Sequence, residues 1–181
     1  TTGLKQSTVS GLLSGHPLQL LSRDRVKEHQ TLRRLRQWAY SITPTLSLWR
    51  DDCLQLEISR CLLVHGGLEA LLKKIAIEFD QRGFSVFAGV GPSRESAWLL
   101  SQFNRASVAS IADQGLPLES QLSPIPLSYL DEFPKDTAAL AKAGVRTFKD
   151  LLALPNASIK QRCSHEFSSW IDRLLCRVEV A

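Results

Sequence analysis

Residues 54–67 read LQLEISRCLLVHGG, and the fold turns on this stretch. Leu54, Leu56 and Ile58 alternate with Gln55, Glu57 and Ser59, the two-residue period of a strand with unlike faces. The pair Gly66-Gly67 ends the alternation. Leu68, Leu71, Leu72, Ile75 and Phe79 then recur at helical spacing, with Glu69, Lys73, Lys74 and Glu78 outside the stripe, until Gly83 stops the helix. Upstream, TLSLWRDD (45–52) predicts a strand joined to CLQLEISRCLLV (53–64) by a turn at Asp51-Asp52.

The pattern continues outward on both sides. Asp24 opens a helix to about Ser41, with Val26, Leu32, Leu35, Ala39 and Ile42 at helical spacing and Arg33, Arg34 and Arg36 on a solvated basic face. Ahead of it, 8–14 is a short helix and 18–22 a short strand. FSVFAGVG (84–91) predicts an apolar strand, and Ser93 caps a helix that turns Ala97, Leu100 and Phe103 inward. The order strand–strand–helix–strand–helix is that of an α+β sheet with helices packed on one face. Three prolines in DQGLPLESQLSPIPLS (113–128) break all periodicity and predict an inter-domain linker at 116–128. Beyond it the chain is helical, with Gly144 at a turn and Pro155 as a stop.

Composition bounds the function. The 181 residues suffice for one ordinary domain or two small ones, and 44% hydrophobic content supports a buried core. No apolar run reaches the roughly 18–20 residues of a membrane span, and TTGLKQSTVSG has no signal-peptide core. Met is absent throughout, consistent with a piece of a longer protein. Cys53, Cys61, Cys163 and Cys176 form no C-x-x-C pair and complete no zinc spacing with the histidines, so they read as reduced thiols of a cytoplasmic protein. The net charge of +4 permits nucleic-acid binding without establishing it.

WAYSITPTLSLWRDDCLQLEISRCLLVHGGLEALLKKI (38–75), GVGPSRESAWLLSQF (89–103), IPLSYL (125–130) and LAKAGVRTFKDLLALP (140–155) together resemble the Y-family (DinB/UmuC-like) translesion DNA polymerases, in particular their ImuB-like branch. The second segment fixes Gly89, Ser93, Arg94 and Ala97 together and is the most specific match. The resemblance implies a fingers remnant at 1–22, a palm-like α+β domain at 23–115, and a thumb-like helical domain at 129–181 with a helix-hairpin-helix. It implies a bacterial, cytoplasmic protein with no membrane partner.

The family's palm strand carries Ser-x-Asp-Glu, whose carboxylates hold the hard cations of phosphoryl transfer. Aligned here, the Ser falls at Leu56, the Asp at Ile58 and the Glu at Ser59, so both carboxylates are replaced. Glu57 is the remaining candidate catalyst, and only under a one-residue slip that would turn every side chain to the other face. The resemblance therefore implies no metal and no cofactor, with Mg²⁺ expected only if the chain is catalytic. It implies an adaptor in translesion synthesis that binds DNA and recruits a sliding clamp, an ImuA-like protein and a DnaE-type error-prone polymerase. The alternatives are an active translesion polymerase with a diverged metal site, or an interaction module without DNA affinity.

Lys142, Gly144, Arg146 and Lys149 are the DNA-binding candidates, because amides at a hairpin turn and nearby cations bind phosphates without reading sequence. Ser93 and Arg94 are secondary, phosphate-supporting candidates. Lesser patterns are weaker. HGGLEAL (65–71) lacks the second acid of a cyclase loop, QLSPI (121–125) lacks the aromatic pair of a clamp peptide, and Ser164-His165 with Asp172 lacks a nucleophile elbow.

Overall fold

The computed structural model describes residues 24–49, 52–104 and 116–177. The expected fingers remnant at 1–22, with its short helix and strand, lies outside the described residues. Helix α1 (Arg25–Ala39) begins where the Asp24 carboxylate accepts the amides of Val26 and Lys27 at 3.1 and 3.0 Å. Strands β1 (Leu46–Trp49) and β2 (Cys53–Leu56) form an antiparallel hairpin with Leu46 opposite Leu56 and Trp49 opposite Cys53. Helix α2 (Leu68–Gln81) follows Gly67, and Gly83, at φ +71°, ends it in the left-handed region. Trp38 of α1 packs edge-on against Phe79 of α2 at 5.0 Å between ring centroids.

The class is α+β, but the sheet is smaller than expected. Among the described residues it is the β1–β2 hairpin alone, and 84–91 makes no strand beyond a single bridge residue at Phe87. The physical reason lies in the glycines. A Cβ at Gly89 would sit 2.2 Å from the Ala97 carbonyl oxygen, so this segment runs flush against the backbone of α3 (Arg94–Asn104). Phe84 and Phe87 on this segment are 39% and 55% exposed.

The helical half comprises α4 (Leu118–Leu122), a 3₁₀ turn (Leu127–Tyr129), α5 (Pro134–Lys142), α6 (Phe148–Leu152), α7 (Asn156–Arg162) and α8 (His165–Leu174). Its core is built on Leu140, Phe148, Leu151, Phe167 and Ile171. Residues 116–128, expected as a linker, are packed structure. Leu122, Ile125 and Leu127 are buried in that same core, and so are Trp98, Leu99 and Leu100 of α3. The prolines shape the segment instead of freeing it: Pro117 precedes α4 and Pro126 precedes the 3₁₀ turn. Backbone bonds from Phe148 to Ile125 (2.9 Å) and from Lys149 to Ser123 (3.1 Å) lash it to α6. No helix among the described residues is long and apolar enough to cross a membrane.

Candidate nucleic-acid interface

The end of β2 holds the positions that the resemblance aligns with the family's carboxylates. The strand, expected to run to Val64, stops at Leu56, and residues 59–66 are turns. One more backbone bond, from the Glu57 amide to the Thr45 carbonyl at 2.9 Å, closes the ladder. The Glu57 carboxylate then accepts the Ser59 hydroxyl and the Ser59 amide, the latter at 2.9 Å. These two bonds, the hydroxyl's first, hold the Glu57 acid below the usual carboxylate range. Glu57 thus caps the turn that ends the strand. Beyond it Leu63 and Val64 protrude, 96% and 84% exposed, before Gly66 and Gly67 turn the chain into α2.

The motif at 89–103 resolves into packing. Ser93 caps α3: its hydroxyl accepts the Ser96 amide at 3.1 Å and also donates across the molecule to the Leu174 carbonyl at 3.1 Å. Ala97 offers the carbonyl that Gly89 abuts. Arg94 is exposed, and its backbone carbonyl accepts the Gln55 side-chain amide from β2 at 3.1 Å. Glu95, buried, meets the Arg173 guanidinium of α8 at 2.8 Å. Of the motif's four matched positions, three have a structural occupation, and Arg94 alone offers its charge to solvent.

The candidates Lys142, Gly144, Arg146 and Lys149 lie on and beside the turn between α5 and α6. Lys142 ends α5, Gly144 turns at φ +85°, Arg146 follows, and Lys149 lies in α6. The three cations are exposed and enter no ion pair among the described residues. The backbone amides are another matter. Gly144 donates to Ala141 and Val145 to Leu140, each at 3.0 Å. Arg146 and Thr147 both donate to the Asp150 carboxylate at 3.0 and 2.9 Å, and the Thr147 hydroxyl joins them. In return the Thr147 hydroxyl accepts the Asp150 amide at 3.3 Å, closing a capping box. Every amide from Gly144 to Leu151 has an internal acceptor. Binding of a phosphate at this turn therefore falls to the side chains of Lys142, Arg146 and Lys149.

Asp150 is the residue that sequence reasoning missed, although Thr147-Phe-Lys-Asp150 carries the capping-box signature. The Arg146 amide, then the Thr147 amide and hydroxyl, hold its acid below the ordinary range. A depressed folded pKa contributes stability that is present above the unfolded value, near 4, and is lost as pH falls through the folded value. Slowed amide exchange at Arg146 and Thr147 is expected at neutral pH and is expected to vanish on acidification. Asp150→Ala should expose both amides at every pH; unchanged protection in that variant would rule out the carboxylate as their acceptor.

Other candidates find local partners. The His65 ring nitrogen lies 3.1 Å from the Ile42 carbonyl. Ser164 caps α8 through the Phe167 amide and bonds Asp136 through its own amide and hydroxyl, while Asp172 pairs with Lys160 at 3.4 Å, so no triad assembles. Among the described residues, no cluster of three His, Cys, Asp or Glu side chains could hold a metal ion.

Together these features define an α+β chain with a hairpin of exposed cations and a capped strand end. Its similarity to known proteins runs in the same direction. Over 140 residues, 77% of this chain, it is 24% identical to "Protein ImuB" of Caulobacter vibrioides strain NA1000 / CB15N, and equally to that of strain ATCC 19089 / CIP 103742 / CB 15. The match spans 30% of the length of those relatives. No family model matches, and no solved structure matches.

Proposed function

We propose that this chain is a non-catalytic, ImuB-like relative of the Y-family polymerases that binds DNA through the hairpin cations. In this reading it serves DNA-damage mutagenesis as an adaptor, positioning a sliding clamp, an ImuA-like protein and a DnaE-type polymerase at stalled DNA. The observation that carries it is the strand end: Glu57 caps the turn through the Ser59 amide and hydroxyl, and Ile58 and Ser59, which the resemblance aligns with the family's carboxylates, are not acids. The 24% identity to ImuB supports a mutagenesis-related role. Lys142, Arg146 and Lys149, exposed on one turn, supply the sequence-independent phosphate contacts such an adaptor needs.

Two measurements test it. Primer extension with Mg²⁺ or Mn²⁺ should yield no product; template-dependent incorporation abolished by Glu57→Gln would instead establish a polymerase with a diverged metal site. Duplex binding should weaken linearly in log–log terms with salt, with a slope of about 0.9 per phosphate that the protein neutralises. The triple variant Lys142→Ala/Arg146→Ala/Lys149→Ala should therefore flatten the slope by roughly 2–3. Salt-insensitive binding, unchanged in the triple variant, would favour a protein-only interaction module.

A further inference from the structure

Helix α1 turns a long cationic face to solvent. At 3.6 residues per turn, Arg25, His29, Arg33 and Arg36 succeed one another at i, i+4, i+8 and i+11 and share one stripe, roughly 16 Å long. Arg34 and Lys27 mark the far border of the same exposed arc. Leu32, Leu35, Trp38 and Ala39 make the inward face, which adjoins the stripe at Arg25 and Arg36 and leaves Arg33 well clear of it. Glu28, the one carboxylate within the helix, is half-buried on that inward side, and Asp24 is held at the N-cap. The solvent arc of α1 itself carries no acid.

The contrast with α2 is informative. There Lys73 pairs with Glu69 at 2.8 Å and Arg82 with Glu78, the usual balance of a solvated helix. On α1, Arg25, Arg33 and Arg34 enter no ion pair among the described residues. Arg36 is steadied against Tyr40, donating to its hydroxyl at 3.3 Å with the guanidinium over the ring at 6.0 Å. Only Lys27 is compensated on this face, by Asp24 at 3.5 Å; the arginines gathered there repel one another, and that arrangement suits a surface completed by a polyanion.

The chemistry of the arc selects among polyanions. Four of its five Lys/Arg residues are arginine, whose planar fork matches phosphate oxygens bidentately. Its exposed apolar groups are limited to Val26 and Tyr40, whereas a helix lying in a lipid interface buries a broad apolar face there. In α1 that apolar face is already packed inward. We propose that the solvent face of α1 is a second nucleic-acid surface, seating a phosphate backbone along Arg25, Arg33 and Arg36 with Arg34 and Lys27 at its edge. This inference rests on the reading of the chain as DNA-binding and extends the footprint away from the hairpin.

The test uses the full chain and a labelled DNA duplex titrated at several salt concentrations. Arg25→Gln/Arg33→Gln/Arg34→Gln, a change that keeps helix propensity, should weaken binding about tenfold or more and lower the salt slope by roughly 2–3. The corresponding triple Lys variant, which keeps the charge, should retain the slope. Circular dichroism at the wild-type level shows that α1 persists. If the α1 variant binds as wild type while the hairpin variant is impaired, the α1 surface is refuted and the hairpin reading stands. If the wild-type chain does not bind DNA at all, both fall. Loss of binding to phosphatidylserine vesicles in the α1 variant, with DNA binding intact, would assign the face to a membrane and overturn the proposal.

Discussion

Phe148→Ala is expected to remove about 3–5 kcal/mol of stability, the range for truncating a fully buried aromatic ring. Phe148 is 0% exposed, and it opens α6 while its amide donates to the Ile125 carbonyl. The cavity would lie where α6 meets the segment 122–127, in the same core as Phe167 and Leu140. Against a usual domain stability of about 5–15 kcal/mol, the loss should be visible as a large drop in the urea midpoint. A companion change makes the result specific. Ile125→Ala, also at 0% exposure, should cost about 2–5 kcal/mol. A near-neutral Ile125→Ala would mean that 116–128 is a tether after all, contributing nothing to the core.

Gly89→Ala is the second large effect, and it separates two meanings of the motif GVGPSRESA. The added Cβ would stand 2.2 Å from the Ala97 carbonyl oxygen and 2.5 Å from the Ser101 amide nitrogen. Both are helix backbone, so no flexible side chain can move aside. Overpacking of this kind costs about 1–3 kcal/mol and at times more, and the upper end is expected here. Thermal unfolding followed by circular dichroism would read it. Arg94→Ala, at an exposed position, should leave the melting curve in place. The reverse result, a tolerated Gly89→Ala with DNA binding abolished in Arg94→Ala, would make the motif a phosphate support and not a packing device.

Much of this architecture is legible in the sequence, and the exceptions have physical causes. Helices α1 and α2 follow from their apolar periods, from Asp24 as cap and from Gly83 as stop. Ser93 and Gly144 mark helix ends by chemistry that acts within a few residues. What failed was longer in range. Three prolines suggested a linker, but proline dictates backbone direction and missing donors, and says nothing about whether Leu122, Ile125 and Leu127 find a core. The apolar run at 84–91 suggested a strand, yet the approach of Gly89 to the backbone of α3 is a tertiary fact. At the candidate site, the clustering of Lys142, Arg146 and Lys149 around Gly144 was visible, whereas the capture of the turn's amides by Asp150 needed the Thr147–Asp150 signature to be weighed against the cations.

Three clasps meet on the first turn of α3. Gln55 reaches it from β2, the Ser93 hydroxyl holds the Leu174 carbonyl, and Glu95 grips Arg173. The β1–β2 hairpin, whose Trp49 packs against the core that includes Trp170, and α8 are thus fastened to the same helix start. A change that disturbed residues 93–95 would therefore loosen the β-hairpin and α8 together.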